Sequence, residues 1–420
     1  MTSLSIQDAV RVFGDEGAAA VIDLLRSFPA RPRLLGLGEP THGEEVFPEL
    51  RNEIFRELVE QEGYRSIAIE SDALAGLLVD DYVATGRGSL DDVMERGFTH
   101  GIGASESGRE LVRWMRAYNA DHPGDRLRFY GFDAPLEMMS AASPRRALTA
   151  LHGYLAPRVS AGLLPCDLDT IDRLVGDDGR WTNEAAAMDP SQSVGGAPEV
   201  TELRILADDL MALLTAESPH LIATTSHAEW RRARLYGRTA TGLLQYHAGM
   251  ADSSPARVWR LMGLRDAMMA ENLLAVARQE ARRGPVLVFA HNSHLQREKS
   301  TWQLADMALD WWSAGAITAA RLGDEYAFLA MALGTAHRHG IGAPAPGTVE
   351  GLLSTLPGNR YAIDSRALAE ALKGTGLTAR TDTSVPYGYF PLDPERLDGP
   401  DGIIFVKDVP GSATQDAGRG

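Results

Sequence analysis

Glu39 and His42 sit three residues apart where an apolar run gives way to glycine. The run is Leu34-Leu35-Gly36-Leu37, and Gly38-Glu39-Pro40-Thr41-His42-Gly43 follows it. An apolar run broken by glycine reads as a short buried strand that feeds a helix. Thr41 with Glu44 three residues on has the pattern of a capping box, which predicts a helix start at His42 or Gly43. The positive end of that helix would keep the imidazole neutral, the form that accepts a proton. A carboxylate beside a neutral imidazole is an acid–base pair.

Three more strand-like runs end on ionisable groups. Ser66-Ile67-Ala68-Ile69 ends on Glu70, and Leu127 to Phe132 ends on Asp133. Pro285 to Ala290 runs straight into His291-Asn292-Ser293-His294. Strands followed by helices imply parallel units whose carboxyl ends share one edge, where ligands bind. All these groups should then face one cleft. Each also has a plainer reading. Glu70 could pair with Arg51 or Arg65, Asp133 could cap its own loop, and one of the two histidines could be a packed core residue.

Several chemistries lack their residues. No Gly-x-Ser-x-Gly elbow is present; Gly103-Ala104-Ser105-Glu106-Ser107 lacks the closing glycine. There is no phosphate-binding P-loop and no Gly-x-Gly-x-x-Gly after the first strand. The single cysteine, Cys166, lies in a Leu-Pro-Cys-Asp context with nothing to activate it. What remains is His and Glu, which can activate a water and protonate a leaving group. The same side chains could instead ligate zinc or manganese.

The elements that must position these groups alternate strand and helix on both sides of a helical stretch. Residues 5–28 read as one or two amphipathic helices. The helix after Gly43 carries Phe47, Leu50, Arg51, Ile54 and Leu58 on one face. Further strands are expected at 316–320, 326–333, 361–363 and 403–406. Trp311 and Trp312 read as core, and His337 and His339 take no role. The expected fold is α/β, a mostly parallel central sheet flanked by helices. Residues 1–142 and 284–408 form its core, 143–283 form a helical insertion acting as a lid over the cleft, and 409–420 form a disordered tail.

The chain has 420 residues, 44% hydrophobic and 23% charged, with net charge −16. That is room for one large or two modest domains. The acidic excess argues against nucleic acid or an anionic membrane as partner. One cysteine allows no internal disulfide, which suits a reducing compartment. No signal peptide and no membrane span is expected, so the expected location is cytoplasmic.

Taken together, Gly36–Gly43, Ile67–Glu70, Trp114–Asn119 running into Tyr130–Asp133, Arg265-Asp266 to Asn272, and Ala290–His294 resemble the erythromycin esterase family in order and spacing. The resemblance spans about residues 30 to 335 and weakens over 140 to 250. It implies an α/β core under a helical lid, and hydrolysis of a macrolide lactone or a similar natural-product ester without a serine nucleophile. Carried over by motif, His42 is the general base, Glu39 its neighbour and Glu70 a second glutamate. His291 assists as acid or oxyanion donor. Arg51, His294 and Asp133 are expected to contact or position the substrate. No cofactor is expected, and the family leaves metal dependence open. In this chain Glu44-Glu45 follows the turn, which could raise the pKa of His42 against the helix dipole. Two other functions fit the same residues: a biosynthetic tailoring enzyme that transfers, eliminates or cyclises, and a metal- or haem-binding protein.

Overall fold

The computed structural model describes residues 9–12, 18–137, 140–304, 307–383 and 388–410. The tail expected at 409–420 lies outside them from residue 411 onward. The eight strands of the central sheet are β1 (Val10–Val12), β2 (Leu34–Glu39), β3 (Ser66–Asp72), β4 (Arg128–Asp133), β5 (Val286–His291), β6 (Tyr326–Ala336), β7 (Arg360–Asp364) and β8 (Gly402–Val409). Their spatial order is β1-β7-β8-β6-β2-β5-β3-β4. The five pairings from β8 to β4 are parallel, and β7 pairs antiparallel with β1 and β8.

β2, β3 and β5 are buried along their whole length. That is the signature of a parallel sheet covered on both faces, and it explains their unbroken apolar runs. Leu35, Leu37, Ile67, Ile69, Leu287 and Phe289 pack on one face against the helices Val46–Gln61, Gly76–Thr85 and Glu106–Asp121. Leu34, Ala68, Val286, Val288 and Phe328 pack on the other against the helices Arg257–Glu280 and Ala314–Leu322.

Small residues on that second face let the backbone behind the site come close. A Cβ on Gly38 would lie 2.2 Å from Asn292 Oδ1 and 3.0 Å from Asn292 Cα. Asn292 follows His291 directly, so Gly38 admits the turn that carries the histidines.

Three expectations change here. Residues 316–320 are helix, within Ala314–Leu322. The stretch Ala-Ile-Thr-Ala-Ala is compatible with either state, and Ser313 settles it by capping Ala316 N–H with its side chain. A hairpin, Lys299–Leu304 with Met307–Trp312, stands where no strand is expected. In the expected N-terminal helical stretch, the described residues give β1 and one helix, Ala19–Arg26.

The 143–283 stretch is joined to the sheet by its last helix. Its helices from Arg145 to Met250 share a core of Leu148, Leu151, Leu203, Leu210 and Leu244. Its last helix, Arg257–Glu280, buries Met269, Ala270, Leu273 and Ala277 against the sheet and Leu261 against Leu243, Tyr246 and Met250 of the helix before it. No described helix is long and apolar enough to cross a membrane.

Candidate active site

Strand register brings the first groups together. Glu39 pairs with His291 across β2 and β5, and His42 follows on the turn after β2. His42 Nδ1 lies 2.6 Å from Glu39 Oε1, and the two imidazole rings of His42 and His291 are 5.1 Å apart. Gly43 in that turn has φ +85°, a left-handed conformation that favours glycine.

The capping box does not form. The helix starts at Val46, with Glu45 at its N-cap and no side-chain cap. Glu45 turns to the next helix, accepting from the Ser107 N–H at 3.2 Å and from the hydroxyls of Ser105 and Ser107. Glu44 is buried 3.1 Å from His339 Nδ1. The positive helix end therefore stands away from His42. Burial alone would lower the pKa of His42, but the hydrogen bond and charge of Glu39, joined by Glu70, outweigh it and hold it up at about 9. The neutral resting imidazole expected from the helix dipole is thus replaced by an imidazolium. Glu39 and Glu70 cause this, not Glu44-Glu45.

His291 is the neutral partner. Burial first, then the neighbouring charge of His42, pushes it down to about 3. Its Nδ1 accepts from the Ser293 N–H at 3.2 Å and lies 2.7 Å from the Ser293 hydroxyl.

Glu70 sits behind both rings. It accepts from the His291 N–H at 2.8 Å, from Arg265 Nη2 at 3.1 Å and faces His294 Nε2 at 3.3 Å. Burial would raise its pKa, but the charges of His294, His42 and Arg265 hold it well below the usual carboxylate range. His294 is clamped at its other nitrogen by Asp266, 2.9 Å from Nδ1. Burial opposes its charge, yet the two carboxylates raise its pKa.

Asp133 is fully buried and bidentate to Arg265, 2.7 Å from Nη2 and 3.1 Å from Nε. It does not reach the cavity as a substrate contact. Nor does Arg51. That guanidinium is buried on Asn52 Oδ1 at 2.8 Å and lies 4.9 Å over the Phe289 ring. The arginine of Glu70 is Arg265, while Arg65 pairs with Asp125 on the surface. Arg265, Asp266 and His100 carry the site without an assigned role from sequence. Arg265-Asp266 lay in the resemblance motif, but mid-helix periodicity gives no sign of what a charge faces.

His42, Arg265, His291 and His294 line one end of a cavity of about 480 Å³. The lining also takes in the apolar Met262, Trp302, Trp311, Phe328 and Phe390 and the charged Arg297, Glu298, Lys299, Asp393 and Arg396. Of the helical stretch expected as a lid, only the last helix reaches this cavity, through Met262 and Arg265. The hairpin and residues 388–400 supply the rest of the cover. Phe390 N–H donates to the Pro40 carbonyl at 2.9 Å, tying that cover to the Glu39–His42 turn.

His294 is not placed to ligate a metal ion. A ligating imidazole must offer a lone pair, and both nitrogens of His294 face carboxylates. Among the described residues no three His, Cys, Asp or Glu side chains are grouped to hold one.

Solved structures share this fold. A Bacillus cereus protein is 17% identical with a TM-score of 0.71, covering 96% of each chain. A protein named for succinoglycan biosynthesis is 17% identical with a TM-score of 0.69, over 96% of this chain and 95% of that one. A mutant of erythromycin esterase EreC in its open conformation is 16% identical with a TM-score of 0.65, over 92% and 93%. At such identities the likeness concerns the fold. The family model for erythromycin esterase matches residues 59–409, a span that begins after the Glu39–His42 turn and takes in Glu70, Asp133, Arg265 and both histidines of the second cluster. Over that length the chain belongs to the erythromycin esterase family.

Proposed function

We propose that the protein hydrolyses a carboxylic ester of a bulky, largely apolar small molecule, a macrolide lactone or a similar natural-product ester. The observation that carries this reading is the Glu39–His42 pair, 2.6 Å apart, with His42 on the wall of a cavity that also holds a patch of aromatic side chains. Glu39 fixes the ring through Nδ1, as an acid does in a catalytic triad. In its deprotonated form His42 takes a proton from water, whose oxygen bonds to the ester carbonyl carbon. The carbonyl π pair moves onto oxygen. The tetrahedral intermediate then expels the alcohol, which takes the proton back from His42. Neutral His291, beside His42, would hold the attacking water. His294 and Glu70 would fix the electrostatics around them. The scheme uses no metal.

With His42 protonated at rest, the same pair would also serve an isomerising or acyl-transferring enzyme, in which the imidazolium acts first as an acid. Product mass separates the two. Mass spectrometry of macrolides and simple esters incubated with the protein should show a gain of one water. An unchanged mass with a changed retention time would replace hydrolysis by isomerisation, and a mass change matching an acyl group would replace it by acyl transfer. Loss of either activity in His42→Ala ties it to this site.

A further inference from the structure

We infer that Arg265 is a catalytic residue, donating from its outer guanidinium nitrogen to the oxyanion that forms on the ester carbonyl. This rests on the hydrolysis reading above.

The side chain is 15% exposed and forms part of the cavity wall with His42 and His291. Its Nε and Nη2 are committed to Asp133, and Nη2 also to Glu70. Nη1 takes part in no hydrogen bond among the described residues. A guanidinium has five donors in a fixed plane. Holding one edge against two buried carboxylates fixes the direction of the remaining corner. A preorganised donor of this kind, in a site shielded from water, is worth most where charge develops during reaction.

The support behind Arg265 is extended. Asp133 Oδ2 also lies 2.9 Å from His100 Nε2. His100 Nδ1 and backbone N–H both meet Glu137, at 3.1 and 3.0 Å. His100 is also the non-glycine residue with positive φ, +56°, among the described residues. A left-handed histidine costs backbone energy, and such strain concentrates where surrounding structure demands a set orientation. Here it turns one imidazole so that it bridges Glu137 at the surface to Asp133 under the site. His100 is a positioning residue in this scheme. It holds Asp133, Asp133 holds Arg265, and Arg265 meets the substrate.

The test compares an anionic tetrahedral mimic with a neutral ligand of the same chain. The probes are n-butylphosphonate and butyramide, with 4-nitrophenyl butyrate as substrate. Variants are Arg265→Lys, Arg265→Ala and His100→Asn, the last because asparagine tolerates positive φ. Arg265→Ala should lower kcat about 100- to 1,000-fold with KM little changed. Butylphosphonate affinity should fall in parallel while butyramide affinity holds, and added guanidinium ion should restore part of the rate. His100→Asn should lower kcat and butylphosphonate affinity together by a smaller factor, at unchanged KM.

If Arg265→Ala leaves its carboxylates unpaired and fails to fold, Arg265→Lys carries the test: it keeps the charge but loses the planar fork. Unchanged butylphosphonate affinity in Arg265→Lys, or equal losses for both ligands, overturns the assignment. So does a wild type that prefers butyramide or binds neither ligand. A wild type that hydrolyses no ester yet selects butylphosphonate through Arg265 would overturn the hydrolysis reading alone.

Discussion

Glu39→Gln offers a quantitative test of the active-site assignment. Glu39 both orients His42 and, with Glu70, holds its pKa up at about 9 against burial. If deprotonated His42 is the base, only about 1% of the wild type is competent at pH 7 and about half at pH 9. Its kcat/KM should climb about tenfold per pH unit up to about pH 9. The glutamine variant loses the hydrogen bond to a carboxylate and its charge, so the inflection should return to about 6.5 or lower. About three quarters of the variant is then already neutral at pH 7. The variant will be slower in absolute terms, because its imidazole is a weaker base and less firmly held.

That intrinsic deficit cancels in a ratio. Between pH 9 and pH 7 the wild type loses about fifty-fold and the variant hardly changes, so the variant-to-wild-type ratio of kcat/KM should rise about forty-fold. Stopped-flow hydrolysis of 4-nitrophenyl butyrate from pH 5.5 to 10, corrected for spontaneous hydrolysis, measures it. A ratio independent of pH would refute the reasoning. It would mean either that Glu39 does not set the titration or that His42 is not the base.

Other consequences follow from the same geometry. His42→Ala should lower kcat by at least about 100-fold. The variant should keep its circular dichroism but melt somewhat below the wild type at pH 7, because Glu39 and Glu70 lose a cationic partner; loss of the fold would make His42 structural instead. Gly38→Ala drives a methyl into Asn292 and should cost about 1–3 kcal/mol in chemical denaturation, with activity lost as the His291 turn shifts; a neutral result would contradict the packing. Because His294 has a raised pKa, the stability gained from its carboxylates is full below about pH 6.5 and fades as pH rises through the folded pKa. Asp266→Asn should therefore lower Tm most below about pH 6.5 and progressively less as pH rises beyond it, and a uniform loss would deny the ion pair. Dialysis against a chelator should leave kcat unchanged, whereas a loss reversed by zinc or manganese would require a metal in the mechanism.

Sequence alone determined the scaffold of the site. The apolar runs of β2, β3 and β5 read as strands buried on both faces, and each led into groups that the structure brings together. Because parallel strands must present their carboxyl ends on one edge, Glu39, His42, Glu70, Asp133, His291 and His294 were legible as one set before any coordinates, though Asp133 lies behind Arg265 and not on the cavity. Local pattern failed where the deciding contact is remote. Thr41 and Glu44 match a capping box, but Glu44 is buried against His339, almost three hundred residues away in the chain. Arg51 follows the helix stripe toward the site, yet its partners Asn52 and Ser107 hold it beneath the sheet edge. The arginine that does reach the site comes from Arg257–Glu280, because that helix packs on the sheet as well as against the helix before it. The charge state of His42 was likewise undecided by its neighbours in sequence. It depends on the separation of Glu39, Glu70 and Arg265 in a partly dry pocket, and Coulomb energies change steeply with distances that only the tertiary structure sets.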